Sequence, residues 1–308
     1  MTAIQGAGLA RSIRRAVAVM LAPVFALSLT ACSFAPDEEA AGPPPNPLLY
    51  EIASADGAVE GWMLGTIHAL PPGTRWRTPG IARVINNADL LVVEIAALDN
   101  RAQMSQTFAA LGTTPGLPPL DARLPVPLHA PLADVLYRGD IDAATFTTTE
   151  SWAAALMLAQ VDAEGDPANG VDRALIREFP ADRLRELEGI GAQLAVFDAL
   201  PETDQRALLA AVVRDAGKGK AKAKALREAW RTGDEAALIA AGNTGFMAVP
   251  QLREALLTAR NRRWDTAIAA MLDRPERPLI AVGTAHLIGP EGLAALLRAR
   301  GYRVTRIS

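Results

Sequence analysis

The same pattern occurs twice in this chain, in Trp62-Met63-Leu64-Gly65-Thr66-Ile67-His68 and in Leu279-Ile280-Ala281-Val282-Gly283-Thr284-Ala285-His286. Each is an apolar run, typical of a strand, that leads into the pattern Gly-Thr-x-His. Glycine allows the chain to turn sharply off the end of a strand. The histidine then lies in the loop at the strand's carboxyl end, the edge at which open α/β sheets bind ligands. A lone histidine is usually an ordinary core or surface residue, but this duplication favours a shared functional cleft.

Apolar periodicity predicts strands at both ends of the chain and mainly helices between them. The fold class is therefore α/β (α+β), with a mixed central sheet built from both chain ends and wrapped by an inserted helical layer. The predicted strands are residues 48–53, 61–64, 90–95, 183–187, 278–282 and 302–307.

Glu94 ends the apolar run Leu90-Leu91-Val92-Val93, which is typical of a strand buried on both faces. An ionised carboxylate there is costly unless it meets a cation or hydrogen-bond donors. Its partner is either an arginine or a metal ion with its bound water. Two histidines and a carboxylate are a common ligand set for a divalent ion, which makes bound water a nucleophile. His68, His286 and Glu94 are therefore candidate ligands, and Glu94 is alternatively the general base.

Arg260 falls in the apolar stripe of a helix predicted over residues 250–272, in line with Leu256 and Trp264. An arginine in such a stripe needs an anion. That anion is either Glu94 or an oxyanion formed during acyl transfer. The alternative is that the side chain extends past the stripe to water.

Two other acidic residues stay ambiguous. Asp172, in Gly170-Val171-Asp172, is interpreted as part of a helix start, with a structural role favoured over a functional one. Glu188 follows a possible strand and has no clear role.

The N-terminus is typical of a lipoprotein precursor. Arg11, Arg14 and Arg15 precede an apolar run over residues 16–29, which ends in Leu29-Thr30-Ala31-Cys32. The run is short for a transmembrane helix and suits a secretory signal. We expect a signal peptide over residues 1–31, lipid on Cys32, a proline-rich acidic tether over 32–47 and one domain over 48–308. The alternative is an ordinary signal peptide beside an unrelated cysteine.

Net charge and cysteine content limit which partners and which cross-links this chain is expected to have. Removing residues 1–31 takes three arginines from a chain of net charge −3, which leaves −6. Such a chain is not expected to bind nucleic acid. Its single cysteine leaves no disulfide, so stability comes from the core. We expect a periplasm-facing protein of the bacterial cell envelope, and Ser33 after the cysteine slightly favours the outer membrane.

The chain resembles the TraB/PrgY/GumN family, whose relatives include the Tiki proteins. The resemblance is carried by both Gly-Thr-x-His patterns, the second with Leu287, and by Glu94 after Val92-Val93. It is also carried by Gly170-Val171-Asp172, Arg260-Asn261 with Trp264, Gly289-Pro290-Glu291-Gly292-Leu293 and Gly301-Tyr302-Arg303-Val304. The resemblance implies a fold related to the erythromycin-esterase and ChaN-like proteins. For the Tiki branch it implies metal-dependent peptidase activity at His68, His286 and Glu94, with Arg260 and Asn261 as helpers. Glu188-Gly189 departs from the Glu-Thr of the family.

Three functions follow as hypotheses. The first is a divalent-metal-dependent hydrolase, peptidase-like, acting on a peptide or other small substrate. The second is a metal-independent esterase, in which His68 is the general base and Arg260 stabilises the oxyanion. The third is a non-catalytic protein that binds or inhibits a peptide.

Overall fold

The computed structural model describes residues 43–217 and 219–307. Within them, six strands form one sheet in the order β4-β3-β5-β2-β1-β6. The strands are β1 (Leu49–Ala53), β2 (Val59–Thr66), β3 (Leu90–Val93), β4 (Leu184–Glu186), β5 (Pro278–Gly283) and β6 (Arg303–Ile307). β1 pairs antiparallel with β2 and β6, and the pairs β2–β5, β5–β3 and β3–β4 are parallel. The predicted mixed sheet from both chain ends is confirmed.

Helices fill the chain between the strands and cover the sheet. The α-helices are α1 (Pro79–Asn87), α2 (Arg101–Leu111), α3 (His129–Arg138), α4 (Ser151–Ala159), α5 (Val171–Glu178), α6 (Gly189–Asp198), α7 (Glu202–Asp215), α8 (Gly219–Thr232), α9 (Glu235–Gly242), α10 (Pro250–Arg253), α11 (Ala259–Leu272) and α12 (Leu293–Ala299). Short 3-10 turns cover Asp121–Arg123, Val126–Leu128, Ala143–Thr147, Pro167–Asn169, Ala181–Arg183, Gly245–Ala248 and Thr284–His286. No helix among the described residues is long and apolar enough to cross a membrane.

The helix predicted over residues 250–272 is interrupted. A π turn, Glu254–Thr258, joins α10 to α11, and the N–H of Ala259 donates to the carbonyl of Glu254. π turns inside helices are frequent at functional sites. Here the turn ends two residues before Arg260.

The apolar side chains form two clusters. One surrounds the sheet and includes the fully buried Leu91, Val92 and Ile280. The other lies within the helical insertion, around Phe146 and Trp152. The site residues discussed below lie at the sheet, where the carboxyl ends of four parallel strands share one edge.

Candidate active site

The structure brings all five predicted site side chains to this edge. His68 follows β2, Glu94 follows β3, His286 follows β5, and α11 supplies Arg260 and Asn261. Arg260 Nη2 donates to Glu94 Oε2 at 2.9 Å, and Nη1 lies 3.2 Å from His286 Nε2. The other ring nitrogen of His286, Nδ1, lies 2.6 Å from Asn261 Oδ1. Arg260 therefore pairs with Glu94, one of the two anions that its sequence position left open.

His68 is held by Asp172. Its Nδ1 lies 2.8 Å from Asp172 Oδ2, and Asp172 Oδ1 accepts a 2.7 Å hydrogen bond from the Thr66 hydroxyl. The negative charge of Asp172 raises the pKa of His68 to about 9. Because the His68 side chain is 65 % exposed, water screens part of this attraction. The bond at Nδ1 directs Nε2 into the cleft.

The close approach of α5 to the His68 loop explains how Asp172 reaches the ring. The N–H of Val171 donates to the carbonyl of Ile67 at 3.0 Å. A Cβ on Gly170 would lie only 2.2 Å from the His68 carbonyl oxygen, so no larger residue fits here without movement. Gly170 thus permits the contact between Asp172 and His68.

His286 has the opposite environment. It is buried, and its ring centre lies 4.4 Å from that of Trp264. Burial lowers its pKa to about 3, so the ring is neutral at physiological pH. A neutral ring donates from Nδ1 to Asn261 and accepts at Nε2 from Arg260. Both nitrogens of His286 are therefore occupied inside the protein.

Glu94 is buried but ionised. Burial alone raises the pKa of its carboxyl, but nearby positive charge and the N–H of Gly283 outweigh that effect and lower it. Oε1 accepts from the Gly283 N–H at 2.8 Å, and Oε2 accepts from Arg260. Each oxygen keeps capacity for a further donor, because a carboxylate accepts about four hydrogen bonds.

The side chains of His68, Glu94 and His286 converge beside Gly283, and we call the space between them the cradle. A Cβ placed on Gly283 would lie 3.2 Å from Glu94 Oε1, 3.6 Å from His68 Nε2 and 3.8 Å from His286 Cδ2. Because glycine has no side chain, no atom of residue 283 stands between these polar atoms. One oxygen of Glu94 and one nitrogen of His68 therefore both face this position.

The predicted metal ligands fit a metal only in part. His68 Nε2 and Glu94 Oε1 face the cradle, whereas His286 turns a carbon toward it and its Nε2 toward Arg260. Across the described residues, no group of three or more His, Cys, Asp or Glu side chains is arranged to hold a metal ion. The three side chains as placed do not form the three-ligand set that the sequence predicted.

Two acidic residues of this site were not assigned to it from sequence. The sequence favours a structural role for Asp172 and indicates no role for Glu188. Both are distant in sequence from their partners: Asp172 lies 104 residues after His68, and Glu188 lies 72 before Arg260. The signal that could have found Asp172 is its place in the Gly170-Val171-Asp172 pattern that carries the family resemblance.

A separate groove of about 800 Å³ lies between α6 and α10–α11, and neither His68 nor His286 lines it. Its walls are mainly small and apolar, including Ala192, Ala195 and Ala255. We place the chemistry at the strand ends instead, because the titratable groups converge there. Cys32, the predicted lipidation site, lies outside the described residues.

Fold and site together define an α/β domain that gathers two histidines, a glutamate and an arginine at the carboxyl edge of its sheet. The sequence matches the model of the TraB/PrgY/gumN family over residues 48–306. The chain belongs to this family, as its motifs indicated. No curated protein and no solved structure matches it.

Proposed function

We propose that this chain is a hydrolase that cleaves an ester or amide bond with a water molecule held in the cradle beside Gly283. One observation carries the proposal: His68 Nε2 and Glu94 Oε1 face the same small space, within 3.6 and 3.2 Å of one point. A water molecule that bridges these two atoms, seated against the Gly283 Cα and not at that point itself, can be held by both groups. His68 is the residue best placed to move its proton, since its ring is exposed and oriented from behind by Asp172.

In the proposed reaction, neutral His68 accepts a proton from the water at Nε2 while the water oxygen attacks the carbonyl carbon. Asp172 fixes the ring and stabilises the imidazolium that forms. The tetrahedral intermediate then collapses, the bond to the leaving oxygen or nitrogen breaks, and His68 returns the proton to that atom. Ionised Glu94 orients the water and balances the charge of His68.

The test uses the full-length chain purified in detergent, with p-nitrophenyl esters and a fluorogenic peptide library as substrates. Gly283→Ala fills the cradle, so we expect kcat/KM to fall by about 10²-fold or more. Gly191→Ala is the matched control, because no atom lies within 4 Å of its added Cβ. A wild-type protein that cleaves nothing, or a Gly283→Ala variant with full activity, contradicts the proposal. Binding of a peptide without cleavage supports the non-catalytic alternative.

We propose a divalent-metal-dependent, peptidase-like hydrolase as the second candidate. What favours it is that an oxygen acceptor holds Nδ1 of both histidines, a frequent arrangement behind metal-ligating imidazoles. His68 and Glu94 would hold the ion, which would supply an activated water. Metal analysis of the wild type beside His68→Ala and His286→Ala tests it. Bound metal that His68→Ala loses, together with activity abolished by chelation, favours this candidate over the first.

We propose that the site acts in the bacterial cell envelope, on a peptide or other small substrate. The support is the N-terminal sequence, with its charged start, its apolar run and Cys32. Lipid on Cys32 would anchor the chain to a membrane, with the outer membrane favoured, and leave the domain facing the periplasm. Mass spectrometry of the mature N-terminal peptide tests this, and an unmodified Cys32 contradicts it.

A further inference from the structure

Glu188 is a buried carboxylate that the proposed reaction does not use. It lies between β4 and α6, and its side chain is 5 % exposed. Arg260 Nε lies 3.1 and 3.0 Å from its two oxygens. We infer that Glu188 is a positioning residue, which holds the Arg260 guanidinium in the orientation that serves Glu94 and His286. The inference rests on the proposed function, because it concerns the same site.

The hydrogen bonds of Arg260 support this role. A guanidinium has five N–H donors and no acceptor. Its three nitrogens contact five acceptor atoms, namely both Glu188 oxygens, Glu94 Oε2, His286 Nε2 and the Leu256 carbonyl. Nη2 in particular lies 2.9 Å from an oxygen of each carboxylate. Nε and Nη1 thus donate within the protein and Nη2 lies between two carboxylates, so Arg260 acts on the reaction through its neighbours.

The backbone at Glu188 strengthens the same connection. The N–H groups of Glu188 and Gly189 both donate to the Glu94 carbonyl, at 3.2 and 3.1 Å. Glu94 is therefore fixed twice from this segment, directly at its backbone and through Arg260 at its carboxylate. Because a charge this buried is costly when a partner is lost, neutralising Glu188 leaves Arg260 with one anion and a looser orientation.

The test compares Glu188→Gln with Glu254→Gln, the same change at an exposed ion pair whose glutamate side chain is 53 % exposed. The first readout is hydrogen exchange at the Arg260 Nε–H, followed by ¹⁵N NMR and assigned with Arg260→Lys. We expect slow exchange in the wild type and in Glu254→Gln, and exchange at least about tenfold faster in Glu188→Gln. Glu188→Asp, which keeps the charge on a shorter side chain, should be intermediate, and it supplies the comparison if Glu188→Gln does not fold.

The second readout is ester hydrolysis. In Glu188→Gln we expect kcat to fall by about tenfold or more, since misplaced catalytic groups slow the chemical step, and KM to change by less than about threefold. Unchanged exchange in both Glu188 variants, or unchanged kcat, overturns the inference. If the wild type hydrolyses no substrate, the proposed function fails, while the exchange measurement still decides the role of Glu188.

Discussion

The two Gly-Thr-x-His copies share a sequence pattern but have opposite environments. His68 is exposed and has a carboxylate partner, Asp172, that raises its pKa. His286 is buried and has an amide partner, Asn261, and burial lowers its pKa. The first ring is suited to proton transfer with a substrate, whereas the second is suited to holding Arg260 in place. A repeated motif therefore does not imply a repeated role.

The register between β2 and β5 places the two Gly-Thr-x-His motifs differently. β2 and β5 are parallel neighbours, but Thr66 is opposite Gly283 and not opposite Thr284. The two copies are thus out of step by one residue. Because successive residues of a strand point to opposite faces, a shift of one residue exchanges the environments of equivalent positions.

The largest effect that tests this comparison is expected from matched asparagine substitutions of the two histidines. Asparagine keeps a donor near the position of Nδ1 but removes Nε2. We expect His68→Asn to lower kcat/KM by about 10²- to 10⁴-fold and to change the free energy of unfolding by less than about 1 kcal/mol. We expect His286→Asn to destabilise the fold by about 2 kcal/mol, through lost packing and an unpaired Arg260 N–H. Ester hydrolysis and urea unfolding measure both, and reversed effects would refute the comparison.

The next effect is expected at Gly170, which lets α5 approach the His68 loop. In Gly170→Ala the added Cβ must move away from the His68 carbonyl, which separates Asp172 from the ring. We expect a destabilisation of about 1–3 kcal/mol, with reduced activity. Gly242→Ala, where nothing lies within 4 Å of the new Cβ, is the control. Equal behaviour of the two variants in urea unfolding and ester hydrolysis contradicts the role of Gly170.

A smaller effect is expected in the pH dependence of the reaction. His68 must be neutral to accept a proton, so kcat/KM should rise with pH until the pH exceeds the raised pKa of this ring, about 9. Asp172→Asn removes the negative charge that raises it, so the rise should move toward lower pH. The profile is measured in chelator-containing buffers. A rise at the same pH in both proteins contradicts the coupling between Asp172 and His68.

The smallest effect is expected on stability, at the hydrogen bond between the two Gly-Thr-x-His motifs. The Thr284 hydroxyl donates to the Thr66 carbonyl at 3.0 Å. Thr284→Val keeps the shape and removes this bond, so we expect a loss of about 1 kcal/mol in the free energy of unfolding. Thr266→Val, at an exposed helix position, should change it less. A loss no greater than that of the control indicates that this bond does not stabilise the pairing.

Local sequence features predicted much of this arrangement. Leu90-Leu91-Val92-Val93 predicted a buried strand, and its polar end at Glu94 predicted a cation close by, since an unpaired buried charge is costly. The place of Arg260 in an apolar stripe similarly predicted a buried anion. The role of Asp172 escapes prediction because a carboxylate in the first turn of a helix is ordinarily structural, and its contact with His68 depends on how α5 packs. The π turn before Arg260 also had no sequence signal that we identified.

Local sequence patterns predicted a sheet from both chain ends, an inserted helical layer and the gathering of His68, Glu94 and His286 at one edge. These follow from apolar periodicity and from the position of polar residues at strand ends, which are local properties. Packing of the folded chain sets which histidine is exposed, which carboxylates contact Arg260 and which atoms face the cradle at Gly283. Those features depend on strand register and on contacts between remote segments, and a difference of one residue or one ångström changes them.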